Sequence, residues 1–448
     1  MATIHSALAT VKSQYSKLVP ESMICRACVD VGHHWRRRKL DPAMTVHLLL
    51  LQLLARVALI SLDQVAHVGV SAVAICRARM RLPLLVWMRL AELVGLACAG
   101  DDDTQGYCGH KTYLLDGTTF TTPDTPELAG KYGKASNQKK TKPGFPIPKL
   151  LALMNLASGA IPRVIDLPHA RGEQTVLARM LRMLSPGDLL LGDRGLVSFA
   201  HVALMMRAGI HCLIRLPRCM VVHGRGNGGR GGRGGRGSKK RLERLGRQDL
   251  LVQWNKPPQY KLSWMSKYSW RKLPASLQLR QIAFCLHRKG FRSQWVWIIT
   301  TLDCPVKYTA QSLAELYGKR WDIEVAFRHL KQTLKMTKLS AKTVDGVKKQ
   351  ILAFVMLYNL VRHLMNEAAK KQGVAPDRIS FSDALTALLY LDADEPMPRL
   401  RVNPKRERPT EPRARKHGGY CYPVLRQSRA ELQRPHARVR IGASTVKS

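Results

Sequence analysis

Residues 317–331 read YGKRWDIEVAFRHLK and form the most informative stretch of the chain. Tyr317, Arg320, Glu324 and Lys331 follow one another at intervals of three, four and seven residues. At helical spacing they fall at about 0°, 300°, 340° and 320° around the axis, one narrow polar stripe. Leu316, Ile323, Phe327, Leu330 and Leu334 make an apolar stripe beside it. The spacing predicts a long helix over 309–336 that packs by its apolar side and presents Tyr, Arg, Glu and Lys along the border. Taken alone, such a border also arises in an ordinary amphipathic helix in which Glu324 pairs with Arg320 and Lys331.

Two more acids matter. Asp116 follows Tyr113-Leu114-Leu115, and Asp193 follows Leu189-Leu190-Leu191-Gly192. Each reads as the C-terminal end of a short apolar strand running into a glycine-containing turn. Neighbouring strand ends in an α/β sheet gather their side chains at one edge. A carboxylate beside such apolar residues is costly unless it is paired or binds a cation. Three carboxylates converging without arginine partners repel, and a divalent metal resolves that repulsion. Two such ions serve phosphodiester cleavage, and basic residues on the same helix hold the flanking phosphates.

Outward from these motifs, residues 1–107 read as helical, with apolar residues recurring at Leu50, Leu53, Leu54, Val57 and Ile60 and again at Val86, Leu90, Leu93 and Leu96. The basic run Trp35-Arg36-Arg37-Arg38-Lys39 is either a solvated helix end or a phosphate contact. Cys25 and Cys28 have CxxC spacing with His33 and His34 downstream, but the spacing matches no zinc module, so buried thiols are expected. Asp101-Asp102-Asp103 reads as a linker. Next come a hairpin (150–156 with 161–167), an amphipathic helix over 173–184, a strand at 188–191, a helix over 197–207 and a strand at 211–216. Gly224–Gly237 reads GRGNGGRGGRGGRG, too simple to pack a core. Strand-like pieces follow at 250–254, 260–264, 281–286 and 295–301, a β-rich insertion returning to the main sheet. A second helix is expected from about Val344 to Ala369. The tail from Arg401 carries 13 Lys or Arg and 3 Glu and reads as a basic arm.

The chain has 448 residues, 73 Lys or Arg against 31 Asp or Glu, and a formal charge of +42. That excess points to a polyanionic partner, with nucleic acid first. A hydrophobic share of 45% excludes wholesale disorder. Ten cysteines are ordinary usage and fit a reducing cytosol. The most apolar stretch, Pro42–Leu62, contains His47, Gln52 and Arg56 and reads as a buried helix rather than a span. A cytoplasmic protein that stays with nucleic acid is expected, with no membrane and no small-molecule substrate.

Asp116 within LLDGTTF, Asp193 within GDRGLVSF, and the order Tyr-x2-Arg-x3-Glu-x6-Lys resemble the DDE transposases of bacterial insertion sequences, in the group marked by a YREK signature. The resemblance covers about residues 110–365. It implies an α/β fold, an RNase H-like mixed sheet flanked by helices, interrupted by a mostly β insertion and preceded by an all-α domain. The implied boundaries are a DNA-end-binding domain at 1–107, the catalytic domain at 108–216 and 295–370, the insertion at 217–294 and a basic arm at 371–448. The Gly/Arg segment departs from the compact strands expected there. By resemblance, Asp116, Asp193 and Glu324 bind two Mg²⁺ or Mn²⁺ ions and are catalytic. Tyr317, Arg320 and Lys331 grip the backbone of the element's end, and Trp321 stacks on a flipped base or simply packs. Arg36, Arg37 and Arg38 add phosphate contacts. The partner is double-stranded DNA, both terminal repeats and target, bound by a homodimer on paired ends. Two other readings stay open: a DNA-binding protein of transposase origin without catalysis, and a nuclease that cuts without joining.

Overall fold

The computed structural model describes residues 18–36, 38–100, 106–134, 144–222, 239–258, 260, 262–286, 294–390, 398–404, 413–414 and 421–422. Arg37, the acidic triplet 101–103, the Gly/Arg segment and most of the tail beyond 404 lie outside the described residues. The chain divides into two units, 1–282 with 297–403 and 283–296 with 404–448. Within the second, Arg413–Ala414 pairs antiparallel with Cys421–Tyr422.

The N-terminal region is helical, as its periodicity predicts. Helix α1 spans Glu21–Asp30. Helix α2 (Pro42–Ala55) starts at Asp41, whose carboxylate accepts from the Met44 N–H at 2.7 Å, with proline at the first helical position. Short α3 (Leu62–Ala66), α4 (Ala72–Arg81) and α5 (Leu84–Ala99) follow. Cys25 and Cys28 sit one turn apart on α1 as free thiols, Cys28 buried. Among the described residues no single helix is long and apolar enough to cross a membrane.

The strands are β1 (Thr112–Thr119), β2 (Lys149–Asn155), β3 (Arg163–Leu167), β4 (Leu189–Gly192), β5 (His211–Arg215), β6 (Lys239–Gly246), β7 (Asp249–Asn255), β8 (Ser276–Leu286) and β9 (Gln294–Thr300). They form one sheet in the order β3-β2-β1-β4-β5-β9-β8-β7-β6. β1, β2 and β3 run antiparallel, while β4 and β5 run parallel to β1. The first five strands have the RNase H-like order expected from the motifs. Residues 150–155 of β2 are buried without alternation, so both faces of the sheet are covered. One face takes helix α6 (Phe199–Arg207) and the apolar residues of 176–184. The other takes the segment that carries the Tyr-Arg-Glu-Lys signature, whose part Asp322–Arg328 packs on β1.

Several elements differ from expectation. Residues 173–183 are not one amphipathic helix but three short turns, Glu173–Val176, Leu177–Met180 and Leu181–Met183. Residues 260–264 form no strand among the described residues; Trp264 instead stacks flat on His201 of α6 at 4.2 Å. The strands of the insertion extend the sheet past β9 in the order β9-β8-β7-β6. β6 reads KKRLERLG and lacks alternation because it is an edge strand paired only with β7, its charged residues largely exposed. Where β7 meets β8, Arg280 is 0% exposed and forms a two-pronged ion pair with Asp249, its Nε at 2.8 Å from Oδ1, while its Nη1 donates to the Tyr308 carbonyl at 2.6 Å.

The long C-terminal helix is α7 (Val344–Gln372), and α8 (Phe381–Tyr390) packs on it, so the region after 371 begins as folded structure rather than as an arm. The N-terminal helices are also not set apart. α5 lies along α7 and approaches the β2–β3 connection so closely that a methyl group on Gly95 would sit 2.5 Å from the Pro162 Cα. Asn359 of α7 bonds both the N–H (2.7 Å) and the C=O (2.9 Å) of Ile161 in that connection. A linker at 101–103 in the sequence thus joins regions that share one core.

Two histidines, His201 fully buried and His329 partly so, tie stability to pH. His201 and His329, the latter stacked on Phe381 at 4.1 Å, are both pushed down to about 4 by burial. Their ordinary value is about 6.5, so the unfolded chain takes up protons that the folded state refuses. The stability tied to their neutral forms is complete above 6.5 and is lost as pH falls toward 4. Thermal melts are expected to be flat above pH 7 and to drop steeply between 6.5 and 4; a flat profile across that window would contradict the assignment.

Candidate active site

The position of Asp116 follows from strand register. β1 pairs with β2 along its whole length, but with β4 only as far as Leu115↔Gly192. Asp116 is therefore inside β1, not at its end, and it lies one row beyond the point where β4 stops. Asp193 is the first residue after β4. Parallel neighbours in register place the two acids side by side at the step in the sheet. Alternation puts Tyr113 and Leu115 in the core of one face, and Leu114 and Asp116 on the other.

Gly117 also differs from the turn residue expected. It is a strand residue paired with Leu151, and its missing side chain makes room for the Glu173 carboxylate, with which a methyl at this position would collide. Glu173 is thus a fourth acid that feels the charges of Asp116 and Asp193, although it enters beside β1 on the face opposite to the Asp116 side chain. Burial, outweighing the opposing Lys149 charge, and the carboxylates of Asp116 and Asp193 push its pKa up. Sequence reasoning missed it because residues 173–184 read as an amphipathic helix. The signal available was Gly117 itself, a glycine inside an apolar strand.

The signature segment is not one regular helix. It runs as α-helix Ala310–Gly318, a 3₁₀ turn Lys319–Trp321, α-helix Asp322–Arg328 and a π turn His329–Thr333. The tightened and widened turns change the direction of Arg320 and Lys331 relative to a uniform helix. Arg320 is 6% exposed and reaches over β1. Its Nη1 lies 3.3 Å from Asp116 Oδ2 and its Nη2 donates to Glu324 Oε1 at 2.9 Å. The acids are therefore not free of arginine partners, as the sequence suggested. Burial opposes the Arg320 charge, but the Tyr317 phenol and the carboxylates of Glu324, Asp193 and Asp116 outweigh it, and its pKa ends above the ordinary value.

Asp116 accepts from the Gly117 N–H at 2.8 Å. Burial raises its pKa, with Glu324 and Asp193 adding to the rise and the Gly117 N–H and Arg320 opposing it. Asp193 keeps one buried oxygen, Oδ1, with no hydrogen-bond partner. Tyr317 is buried at 5% exposure beneath this group, and burial lifts its phenol above the ordinary range. Lys331 does not pair with Glu324; its ammonium stands over the Phe120 ring at 5.4 Å, and burial lowers its pKa. Trp321 is 53% exposed, with the Arg320 guanidinium 5.2 Å from its ring centre. Arg36 and Arg38 are exposed, in the stretch between α1 and α2.

Asp116, Asp193 and Glu324 thus share one electrostatic neighbourhood, with Arg320 bridging the first to the third. Among the described residues no three acid, histidine or cysteine side chains close into a ready metal cluster. The chemistry of the donors nonetheless suits a hard divalent cation. All are carboxylate oxygens, one of them is buried without a partner, and a guanidinium already lies between two of the three.

A sheet of this order, with acids on adjacent parallel strands at a step, is an RNase H-like scaffold. The family described as "Transposase DDE domain" matches residues 107–360, more than half of the chain, which therefore belongs to the DDE transposase family. The transposase InsG of insertion sequence element IS4 from Escherichia coli (strain K12) is 24% identical over 285 residues, 62% of this chain and 58% of the relative. InsZ of the same organism is 30% identical over 126 residues, 28% of this chain and 41% of its own length. The chain thus spans about half the length of these relatives. A solved structure of the piggyBac transposase synaptic complex with hairpin DNA aligns over 86% of this chain and 80% of its own, at 9% identity and a TM-score of 0.43.

Proposed function

We propose that this chain is an insertion-sequence transposase that binds the terminal inverted repeats of its element and catalyses metal-dependent DNA cleavage and strand transfer. The observation that carries the reading is the register step: β4 ends opposite Leu115, so Asp116 and Asp193 share an edge, and Arg320 brings Glu324 to it.

Asp116, Asp193 and Glu324 would hold two Mg²⁺ or Mn²⁺ ions. Such ions supply Lewis-acid polarisation of the scissile phosphate and offset the charge of the attacking and leaving oxygens. The chain's own contribution is electrostatic positioning. Arg320, once released from the carboxylates, carries a buried positive charge to the phosphate that approaches them. Tyr317 holds Arg320 from below, and Lys331 stands over Phe120 to meet a neighbouring phosphate. Trp321 offers an exposed ring for stacking. A homodimer on two paired ends, in the bacterial cytoplasm, completes the reading.

The test is a cleavage assay on labelled DNA carrying the element's ends. Nicking at the element boundary is expected with Mg²⁺ or Mn²⁺ and none with EDTA. Tight binding without nicking in either metal would replace this reading with that of a DNA-binding protein that lacks the chemistry.

A further inference from the structure

We propose that α4 is the helix that reads base sequence in the major groove of double-stranded DNA, with Arg36 and Arg38 gripping phosphates at its flank. This rests on the reading that the chain binds the ends of an element.

The short α3, the connection 67–71 and α4 follow one another in the chain. In the turn Gly69 has φ +65°, which favours glycine, and the Asp63 carboxylate accepts from the Val70 N–H at 3.1 Å. Ser71 caps α4 by accepting from the Ala74 N–H at 3.2 Å. The helix packs by Ile75 and Ala78, continued by Leu82, all at most 3% exposed. Its opposite face carries Val73 (58% exposed), Cys76, Arg77, Met80 (72% exposed) and Arg81. α5 meets α4 at 84°.

The chemistry of that face suits base edges. An exposed arginine bonds guanine with two parallel N–H groups, and small apolar side chains meet the thymine methyl group. Among the described residues neither Arg77 nor Arg81 has a carboxylate partner. A groove wide enough for a helix and lined with phosphates matches a cationic, partly apolar helix on a chain of charge +42.

The flanking grip is built beside it. Arg36, Arg38 and Arg81 line one cleft of about 220 Å³ together with His33, His34 and Trp35. Lys39 donates to the Gly69 carbonyl at 3.2 Å, which ties this basic segment to the turn before α4. The one acid on the cleft, Asp41, is engaged in capping α2. The C-terminal turn of α4, which also supplies Arg81 to the cleft, is anchored to α7: Lys349 donates to the carbonyls of Arg79 (2.9 Å) and Met80 (3.4 Å), and Arg79 donates to Gln52 Oε1 at 2.6 Å.

The experiment measures binding of the full chain, by fluorescence anisotropy, to a duplex carrying the element's terminal repeat and to a shuffled duplex. Wild-type protein is expected to prefer the repeat. Arg77→Lys keeps the charge but loses the two-pronged contact, and is expected to reduce that preference about tenfold or more while leaving the shuffled duplex unaffected. Arg36→Ala with Arg38→Ala is expected to weaken both duplexes equally and to lower the slope of log K against log salt by about two. If Arg77→Lys and Arg77→Ala both keep the wild-type preference, or Arg77→Ala weakens both duplexes alike, α4 is not the reading helix, and end binding itself stands. If wild-type protein shows no preference for the repeat, the end-binding reading falls, and this assignment with it.

Discussion

Replacing Glu324 by alanine is expected to abolish cleavage at the element boundary, by more than about a hundredfold, while binding to the ends persists. The size follows from the position of the acid: loss of mere supporting partners around a metal already costs 10–100-fold, and Glu324 is assigned to the first contact. The fold should tolerate the change. Glu324 is partly exposed, and Arg320 keeps its contact with Asp116. Melting should therefore stay near the wild-type value. Glu324→Gln, which keeps shape but not charge, should be as inactive. A variant that nicks at wild-type rate would remove Glu324 from the chemistry and leave its pair with Arg320 as ordinary helix packing.

Replacing Asp249 by alanine is expected to have the largest effect on stability. Arg280 is fully buried, and Asp249 neutralises it from the neighbouring strand. Removing one partner leaves a charge in the core without compensation, which costs roughly 3–5 kcal/mol. For a unit of this size that lowers the melting temperature by about 5 °C. Replacing both partners, Asp249→Leu with Arg280→Met, should recover much of the loss, because no charge is then buried. A single variant that melts with the wild type would mean that Arg280 finds water in the folded state.

Much of this arrangement was legible in the residues. The hairpin 150–167, the strand before Asp193 and the helices near 199 and 344 follow local periodicity, which the structure obeys; the Tyr-Arg-Glu-Lys segment does not, because a 3₁₀ turn and a π turn interrupt its helix. What was not legible depended on contacts between distant segments. Asp116-Gly117 reads as a turn because Asp-Gly favours one, yet pairing with β2 carries the strand through it. Glu173 reads as a helix surface residue until Gly117 is seen to vacate the space it fills. The Arg320–Glu324 pair was one of the two readings of the helix border; the contact of Arg320 with Asp116, 204 residues away in the chain, was not legible from spacing. β6 escaped notice because an edge strand with few buried positions has no alternation to display. Trp264 belonged to a strand-like run, but a flat stack on His201 uses its surface better than a ladder would.

The close approach of α5 at Gly95, and the grip of Asn359 on the β2–β3 connection, have a bearing on how such a chain diversifies. Regions that share a core cannot be traded between lineages like cassettes, since a foreign partner would have to match the same contour. New end specificity is then reached by substitution at a few outward positions of one helix, with the scaffold inherited whole. Elements carrying chains built this way should drift apart in the repeats they recognise while their cutting machinery remains recognisably the same.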